Sequence, residues 1–137
     1  MTRQKNTMAG EKDLGKLLET MKPKLQPGDY VFCTVEDLNT VPAAEPILIF
    51  REKEGITLIV RKEIADKLGF NYSSVAAWIT LTVHSSLEAV GLTAAFSKAL
   101  AENGISCNVV AAFYHDHLFV RQQDAAKAME ILNGLSA

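Results

Sequence analysis

The order of apolar patterns along the chain restricts its fold more than any other feature of the sequence. Residues 77–84 alternate, with Ile79, Leu81 and Val83 on one side, as a half-buried strand does. A helical stripe follows in residues 91–103, where apolar side chains recur at intervals of three and four. Two further β-like runs and a last helical stripe complete the second half. This order predicts an α+β lobe with helices on one face of an antiparallel sheet.

The first half of the chain contains the same kinds of element. Its patterns predict a helix, a strand, a hairpin and a helix at residues 11–21, 30–36, 47–61 and 62–68. No residue-level repeat is visible between the halves. The second half is one strand short of a βαββαβ, ferredoxin-like unit, and either the first half or another chain supplies that strand. We predict a tail at 1–10, a first lobe at 11–75 and a second lobe at 76–137.

Length, charge and cysteine content exclude several classes of protein. A chain of 137 residues is long enough to bury a core without a metal or a disulfide. The net charge of −2 lacks the basic excess that releases counterions from phosphates, so we expect no nucleic-acid partner. Cys33 and Cys107 lie in separate apolar stretches and are interpreted as buried thiols. No apolar run approaches the roughly 18 residues that span a bilayer, so we expect no membrane contact and a cytoplasmic protein.

Few side chains of the second half are suited to catalysis. Residues 76–120 contain one basic and three acidic residues, and the motifs of common hydrolases and nucleotide-binding enzymes do not occur. We therefore expect neither enzymatic activity nor a cofactor. His115 and His117 would share one face of a strand and could together hold a divalent metal. Because two ligands do not make a site, we predict no metal there and interpret His115-Asp116-His117 as a tight turn.

The loop between the strand at 77–84 and the following helix is the strongest candidate for ligand binding. Ser85 and Glu88 have the spacing of a capping box, and on that interpretation they only start the helix. Alternatively, Gly91 allows close approach of a ligand, and the helix N-terminus receives a carboxylate with the Ser85 and Ser86 hydroxyls. Glu88 would then pair with an ammonium group. A free amino acid carries both of these charges.

The same loop resembles a known family. The run ITLTVHSSLEAVG from Ile79 to Gly91, followed by LTAAFSKALAENGIS, resembles the first strand, loop and helix of an ACT domain. ACT domains are βαββαβ regulatory modules that bind amino acids in aspartokinases and related enzymes. The segments FREKEGITL at 50–58 and HDHLFV at 115–120 are similar to a bacterial subgroup of stand-alone proteins with tandem ACT-like domains. The resemblance implies an α+β fold of two ferredoxin-like ACT lobes in tandem.

The resemblance also implies a set of ligand residues. By position, Gly91 matches the family's glycine at the helix start, and Ile105-Ser106 matches the step that opens its second strand. The proline that commonly precedes that glycine is Val90 here, and Glu88 is the best match to the loop acid. From the loop and this match together, the predicted ligand residues are Ser85, Ser86, Leu87, Glu88, Val90, Gly91, Leu92 and Asn108.

Two functions of different classes are consistent with these observations. The first is a regulatory protein that binds an amino acid effector at a lobe or subunit interface. The second is a protein–protein interaction module that binds no small molecule and acts through its sheet edges or helices. In either case we expect a homodimer, because the low charge of the second half and Trp78 would leave apolar surface exposed on a monomer.

Overall fold

The computed structural model describes residues 14–82 and 91–135, so the predicted tail at 1–10 and residues 83–90, with most of the predicted ligand loop, lie outside the described residues. In chain order the elements are α1 (Leu14–Thr20), β1 (Lys22–Leu25), β2 (Tyr30–Val35), β3 (Leu48–Arg51), β4 (Ile56–Arg61), α2 (Lys62–Leu68), β5 (Ala76–Thr82), α3 (Leu92–Glu102), β6 (Cys107–Ala111), β7 (Asp116–Arg121) and α4 (Ala125–Gly134). Of the described residues, 27–77 form one compact unit, called here the first lobe, and 14–26 with 78–135 form the second lobe.

The second lobe is a βαββαβ unit whose fourth strand precedes the first lobe in the chain. Its strands lie in the order β1-β5-β7-β6. Strand β1 pairs antiparallel with β5, with Lys22 opposite Thr82 and Leu25 opposite Ile79. The strand that the sequence pattern lacked is therefore supplied by the same chain. The segment Leu14–Gln26, predicted as the start of the first lobe, lies in the second lobe for this reason.

The sequence of strand β1, KPKL, is not typical of a strand. Its polar and apolar residues do not alternate, and it contains a proline. The Gln26 N–H donates to the Trp78 carbonyl at 2.8 Å. Since hydrogen-bonded pairs alternate along an antiparallel ladder, Lys24 also directs its N–H toward β5, whereas the nitrogen of Pro23 faces away. Proline is tolerated at such a position on an edge strand because no hydrogen bond is lost.

The first lobe has strands in the order β3-β4-β2, and Tyr30 of β2 also pairs with Ala76 at the start of β5. Its core includes the fully buried Val31, Leu58 and Val60. The predicted hairpin and helix are confirmed, and α2 ends at Gly69 in the left-handed conformation, with φ of 73°. Between β2 and β3 the chain forms turns and no helix, so this lobe lacks the first helix of the unit.

The core of the second lobe joins its strands to α3 and α4. Its largest fully buried side chains on these elements are Ile79, Leu81, Phe96, Leu100, Leu118 and Leu132. The predicted α+β class with antiparallel strands and packed helices is confirmed. No helix in the described part of the chain combines the length and hydrophobicity that crossing a bilayer requires.

Equivalent positions in the two lobes reveal a weak repeat that inspection of the sequence missed. The segment β4–α2 occupies the place of β7–α4, and the two strands share one burial pattern. Residues 55–67 and 115–127 then have identical side chains at five positions, occupied by leucine, valine, arginine, alanine and lysine. In this register, His115-Asp116-His117 replaces Gly55-Ile56-Thr57. Five scattered identities are visible only once the elements are aligned.

The interpretation of His115-Asp116-His117 as a tight turn is wrong. The turn lies one step earlier, where the Ala112 N–H donates to the His115 carbonyl at 3.0 Å. Asp116 and His117 belong to β7, and Asp116 pairs with Ala111 and is only 2% exposed. The aromatic residues Phe113 and Tyr114 occupy the exposed tip instead. Aromatic residues are common in strands, so the sequence pattern extended the predicted strand through Tyr114.

Candidate functional site

Gly91 forms the turn that leads into α3. Its φ of 89° and ψ of −2° lie in the left-handed region, which side chains other than glycine rarely adopt. The Ala95 N–H donates to the Gly91 carbonyl at 2.8 Å, so Gly91 closes the first turn of the helix. A Cβ atom added at Gly91 would lie 3.6 Å from Cδ2 of Leu14, which is an ordinary contact. The backbone conformation, rather than crowding, therefore requires glycine here.

The position of the helix start decides against the predicted capping box. Helix α3 begins at Leu92, and its N-cap is Gly91, which has no side chain with which to cap. Ser85 is therefore not the N-cap of α3. The candidate ligand residues Ser85, Ser86, Leu87, Glu88 and Val90 lie outside the described residues.

Leu92 and Asn108, the other predicted ligand residues, have different environments. Leu92 is 6% exposed and belongs to the core, so only its backbone is available to a ligand. Asn108 is exposed on β6, where it pairs with Phe119 of β7. The described contacts do not join Asn108 to Gly91.

A polar cluster that joins Gln26, the residue after β1, to β5 and β7 was not predicted. The Trp78 indole N–H donates to Nδ1 of His117 at 3.0 Å, and Oγ1 of Thr80 lies 3.1 Å from the same nitrogen. Gln26 donates from Nε2 to Oγ1 of Thr80 at 3.0 Å. Sequence reasoning placed Trp78 on an exposed face, but it is half-buried and stacks on Phe119, with ring centroids 6.1 Å apart. The alternation of β5 indicated which residues share its face, but not their partners on β7.

The potential metal ligands of the described residues are dispersed. Their His, Cys, Asp and Glu side chains form no group of three or more that could hold an ion. The rings of His115 and His117 lie on one side of the chain, with centroids 6.3 Å apart. Because Nδ1 of His117 is occupied by hydrogen bonds, the pair offers fewer free nitrogen ligands than its spacing suggests.

A cavity of about 310 Å³ lies in the first lobe, where β2 begins and α2 starts. It is lined by Gly28, Asp29, Arg61, Lys62, Glu63 and Asp66. Arg61 pairs with Glu45 at 3.1 Å and also with Glu63, while Nζ of Lys62 lies 2.8 Å from Oδ2 of Asp66. The hydrogen bond with Lys62 lowers the pKa of Asp66, and the same bond raises the pKa of Lys62. A ligand would have to break these ion pairs, so the cavity is a weaker candidate than the Gly91 turn.

Comparisons with known families and structures agree with this architecture. One model of the ACT domain matches residues 9–77, and a second matches residues 73–134. The crystal structure of a Vibrio cholerae protein of unknown function, described as a possible transport protein, is similar to this chain. The two are 49% identical over 90% of this chain and 96% of that one, with a TM-score of 0.83.

Two aspartate kinase structures share the fold at low identity. The enzyme from Clostridium acetobutylicum, described as allosteric, is 10% identical over 85% of this chain and 34% of its own, with a TM-score of 0.62. A candidate C-terminal regulatory domain of aspartate kinase from Porphyromonas gingivalis is 15% identical over 85% of this chain and 96% of its own, with a TM-score of 0.55. The curated proteins contain no match to the chain. The two family matches and the lobe topology together show that the chain belongs to the ACT domain family, with two ACT domains in tandem.

Proposed function

We propose that this chain is a regulatory protein that binds a free amino acid at the turn into α3. The observation that carries the proposal is the left-handed Gly91 at the N-terminus of an 11-residue helix. The first N–H groups of a helix have no partners within it and attract a carboxylate. A glycine at this position leaves them accessible to a ligand. The membership in a family with regulatory, amino-acid-binding modules supports the same assignment.

The remaining contacts follow from the charges of an amino acid. The Ser85 and Ser86 hydroxyls are proposed to donate to the carboxylate, and Glu88 to accept from the ammonium group. Leu87 and Val90 are proposed to contact the side chain of the ligand. Asn108, exposed on β6, is proposed as a further polar contact. The proposal includes no catalysis by this chain and places it in the cytoplasm.

The protein is proposed to act as a homodimer, and the edge strand β3 supports this. Ile49 and Phe50 of β3 and Ile47 just before it are 45%, 61% and 39% exposed, which is unusual for large apolar residues on one edge. Glu52 and Gly55 exchange both backbone hydrogen bonds, at 2.9 and 3.3 Å. By alternation, Ile49 and Arg51 direct their N–H and carbonyl groups away from β4. A second copy could pair along that edge and cover the apolar side chains.

A thermal-shift screen over the common amino acids tests the proposed function. A ligand at about 100 times its Kd stabilises a protein by roughly 2.7 kcal/mol. One amino acid, or a few chemically similar amino acids, should therefore raise Tm clearly. The deaminated analogue of that amino acid should raise Tm less, because it lacks the ammonium group. If no amino acid raises Tm at millimolar concentration, the proposal fails, and the interaction module without a small-molecule ligand becomes the better account.

Two conservative variants test the assigned contacts. Ser86→Ala removes one hydrogen bond to a charged acceptor, worth roughly 1.5–3 kcal/mol, or about a tenfold to hundredfold loss of affinity. Glu88→Gln should weaken the amino acid more than its deaminated analogue. Isothermal titration measures both effects. Unchanged affinity in both variants would place the ligand elsewhere, with the cavity beside Arg61 as the next candidate.

A further inference from the structure

We propose that His117 and Trp78 form an acid-sensitive contact in the second lobe, closed while the imidazole is neutral and opened when it takes up a proton. The contact is a hydrogen bond of 3.0 Å from Nε1 of Trp78 to Nδ1 of His117. An indole N–H can donate but cannot accept. Nδ1 of His117 therefore carries no proton in this structure, and the neutral ring holds its proton on Nε2.

The two neighbours of Nδ1 respond differently to a proton on that atom. The Thr80 hydroxyl, 3.1 Å away, can rotate and accept a hydrogen bond, because it is both a donor and an acceptor. Trp78 cannot reverse its bond, so two N–H groups would face each other at 3.0 Å. Protonation of His117 at Nδ1 therefore requires the indole to move away from the imidazole. The threonine tolerates the charged ring, and the tryptophan makes the contact sensitive to acid.

The described titratable and charged groups on the strands beside His117 lie on β1 and β7. The ring of His115 has its centroid 6.3 Å from that of His117. On β1, Lys24 lies opposite Thr80 and Lys22 opposite Thr82. Arg121, further along β7, pairs with Asp124 at 3.1 Å. Val110, which lies opposite His117 on β6, carries no charge.

The first lobe provides an internal reference for this contact. Thr57 occupies the position in β4 that His117 occupies in β7, so the first lobe has no titratable group there. An unperturbed histidine titrates near pH 6.5, and the unfolded chain will take up its proton there. Because the Trp78 contact disfavours that proton, the stability that this contact contributes is present above about pH 6.5 and is lost as the pH falls.

Tryptophan fluorescence tests the proposal directly, because Trp78 is the single tryptophan of the chain. The parent protein should show a one-proton change in emission below about pH 6.5, before circular dichroism reports unfolding. His117→Gln, which keeps an acceptor but cannot titrate, should abolish the change, and the matched variant His115→Gln should retain it. A parent protein without the change, or a His117→Gln variant with it, would overturn the proposal.

The imidazole nitrogen resonances provide a second test that needs no replacement of His117. The neutral His117 ring should have its proton on Nε2, and Trp78→Phe should move its titration midpoint to higher pH without moving that of His115. The unfolding equilibrium constant of the parent should rise by up to tenfold per pH unit in acid relative to His117→Gln. A proton on Nδ1 of the neutral ring, or a midpoint that Trp78→Phe leaves unchanged, would contradict the acid-sensitive contact.

Discussion

At the residue scale, Gly91 is the part of the candidate site that the sequence predicted best. The sequence indicated that a glycine at this place could be needed, and the structure places it in the left-handed region. The capping interpretation placed the N-cap of α3 at Ser85, whereas the helix begins at Leu92 and its N-cap is Gly91. The contacts of Trp78 and Thr80 with His117 could not be predicted, because they depend on the pairing and register of β7 with β5.

Gly91→Ala should destabilise the protein by about 1–3 kcal/mol, because alanine is strained at a φ of 89°. Gly134→Ala provides a matched control in the same lobe. Gly134 ends α4, and nothing lies within 4 Å of an added Cβ. That variant should be neutral or stabilising by up to about 1 kcal/mol. Denaturant unfolding measures both, and equal effects at the two glycines would contradict the account.

The two free cysteines should react slowly with a thiol reagent at neutral pH. Burial raises the pKa of Cys33 and of Cys107, and for Cys107 a hydrogen bond with Ser97 acts in the opposite direction. Thiolate is the reactive form, so a raised pKa slows the reaction. Cys107, half-buried, should react before Cys33, which is 7% exposed. The variants Cys33→Ser and Cys107→Ser assign the two phases, and the reverse order would count against these environments.

At the scale of elements, the helices and hairpins were predictable and strand β1 was not. The hairpin of β3 and β4 and the helix α2 carry strong local signals, including β-branched residues and Gly69. Strand β1 has none, because four residues with a proline become a strand only through pairing with β5. The contribution of residues 14–26 to the second lobe is a long-range property, so local patterns assigned these residues to the first lobe.

Proline substitutions along β1 should distinguish its two edges. Lys24→Pro removes an N–H that faces β5 and leaves a carbonyl of that strand without its donor, at a cost of about 1–3 kcal/mol. Leu25→Pro removes an N–H that faces away, as at Pro23, and should cost less. Chemical denaturation monitored by circular dichroism compares the two variants. Equal losses would contradict the register of β1 on β5.

At the scale of the whole molecule, the predicted homodimer was based on an exposed Trp78, whereas the exposed apolar side chains of the structure lie on β3. Trp78 is half-buried, whereas Phe50 is 61% exposed on the edge strand β3.

Light scattering should give about twice the 15.0 kDa of one chain for the parent protein. Phe50→Lys should shift the mass toward the monomer, because a charge on that edge opposes pairing. Phe113→Lys, at the exposed tip of the other hairpin, is the matched control and should leave the mass unchanged. A monomeric parent, or a Phe50→Lys variant with the mass of a dimer, would contradict pairing through β3.

The tandem ACT architecture followed from the sequence because it depends on local patterns and on one recognisable loop. The identity of the ligand does not follow, because local sequence patterns do not determine which side chains would contact it. The proposed ligand site is therefore the turn into α3, whichever amino acid binds there. Gly91 is the described residue that forms this turn.

Isothermal titration of Gly91→Val with the amino acid that most stabilises the parent protein tests this claim most directly. The parent should bind it, and the variant should lose most of the binding, because a side chain at residue 91 obstructs the approach to the helix N-terminus. Gly134→Ala should bind as the parent does, and circular dichroism checks that each variant is folded. If Gly91→Val is instead too strained to fold, Gly91→Ala replaces it in the same titration. A folded variant at residue 91 with the affinity of the parent would contradict a ligand site at this turn.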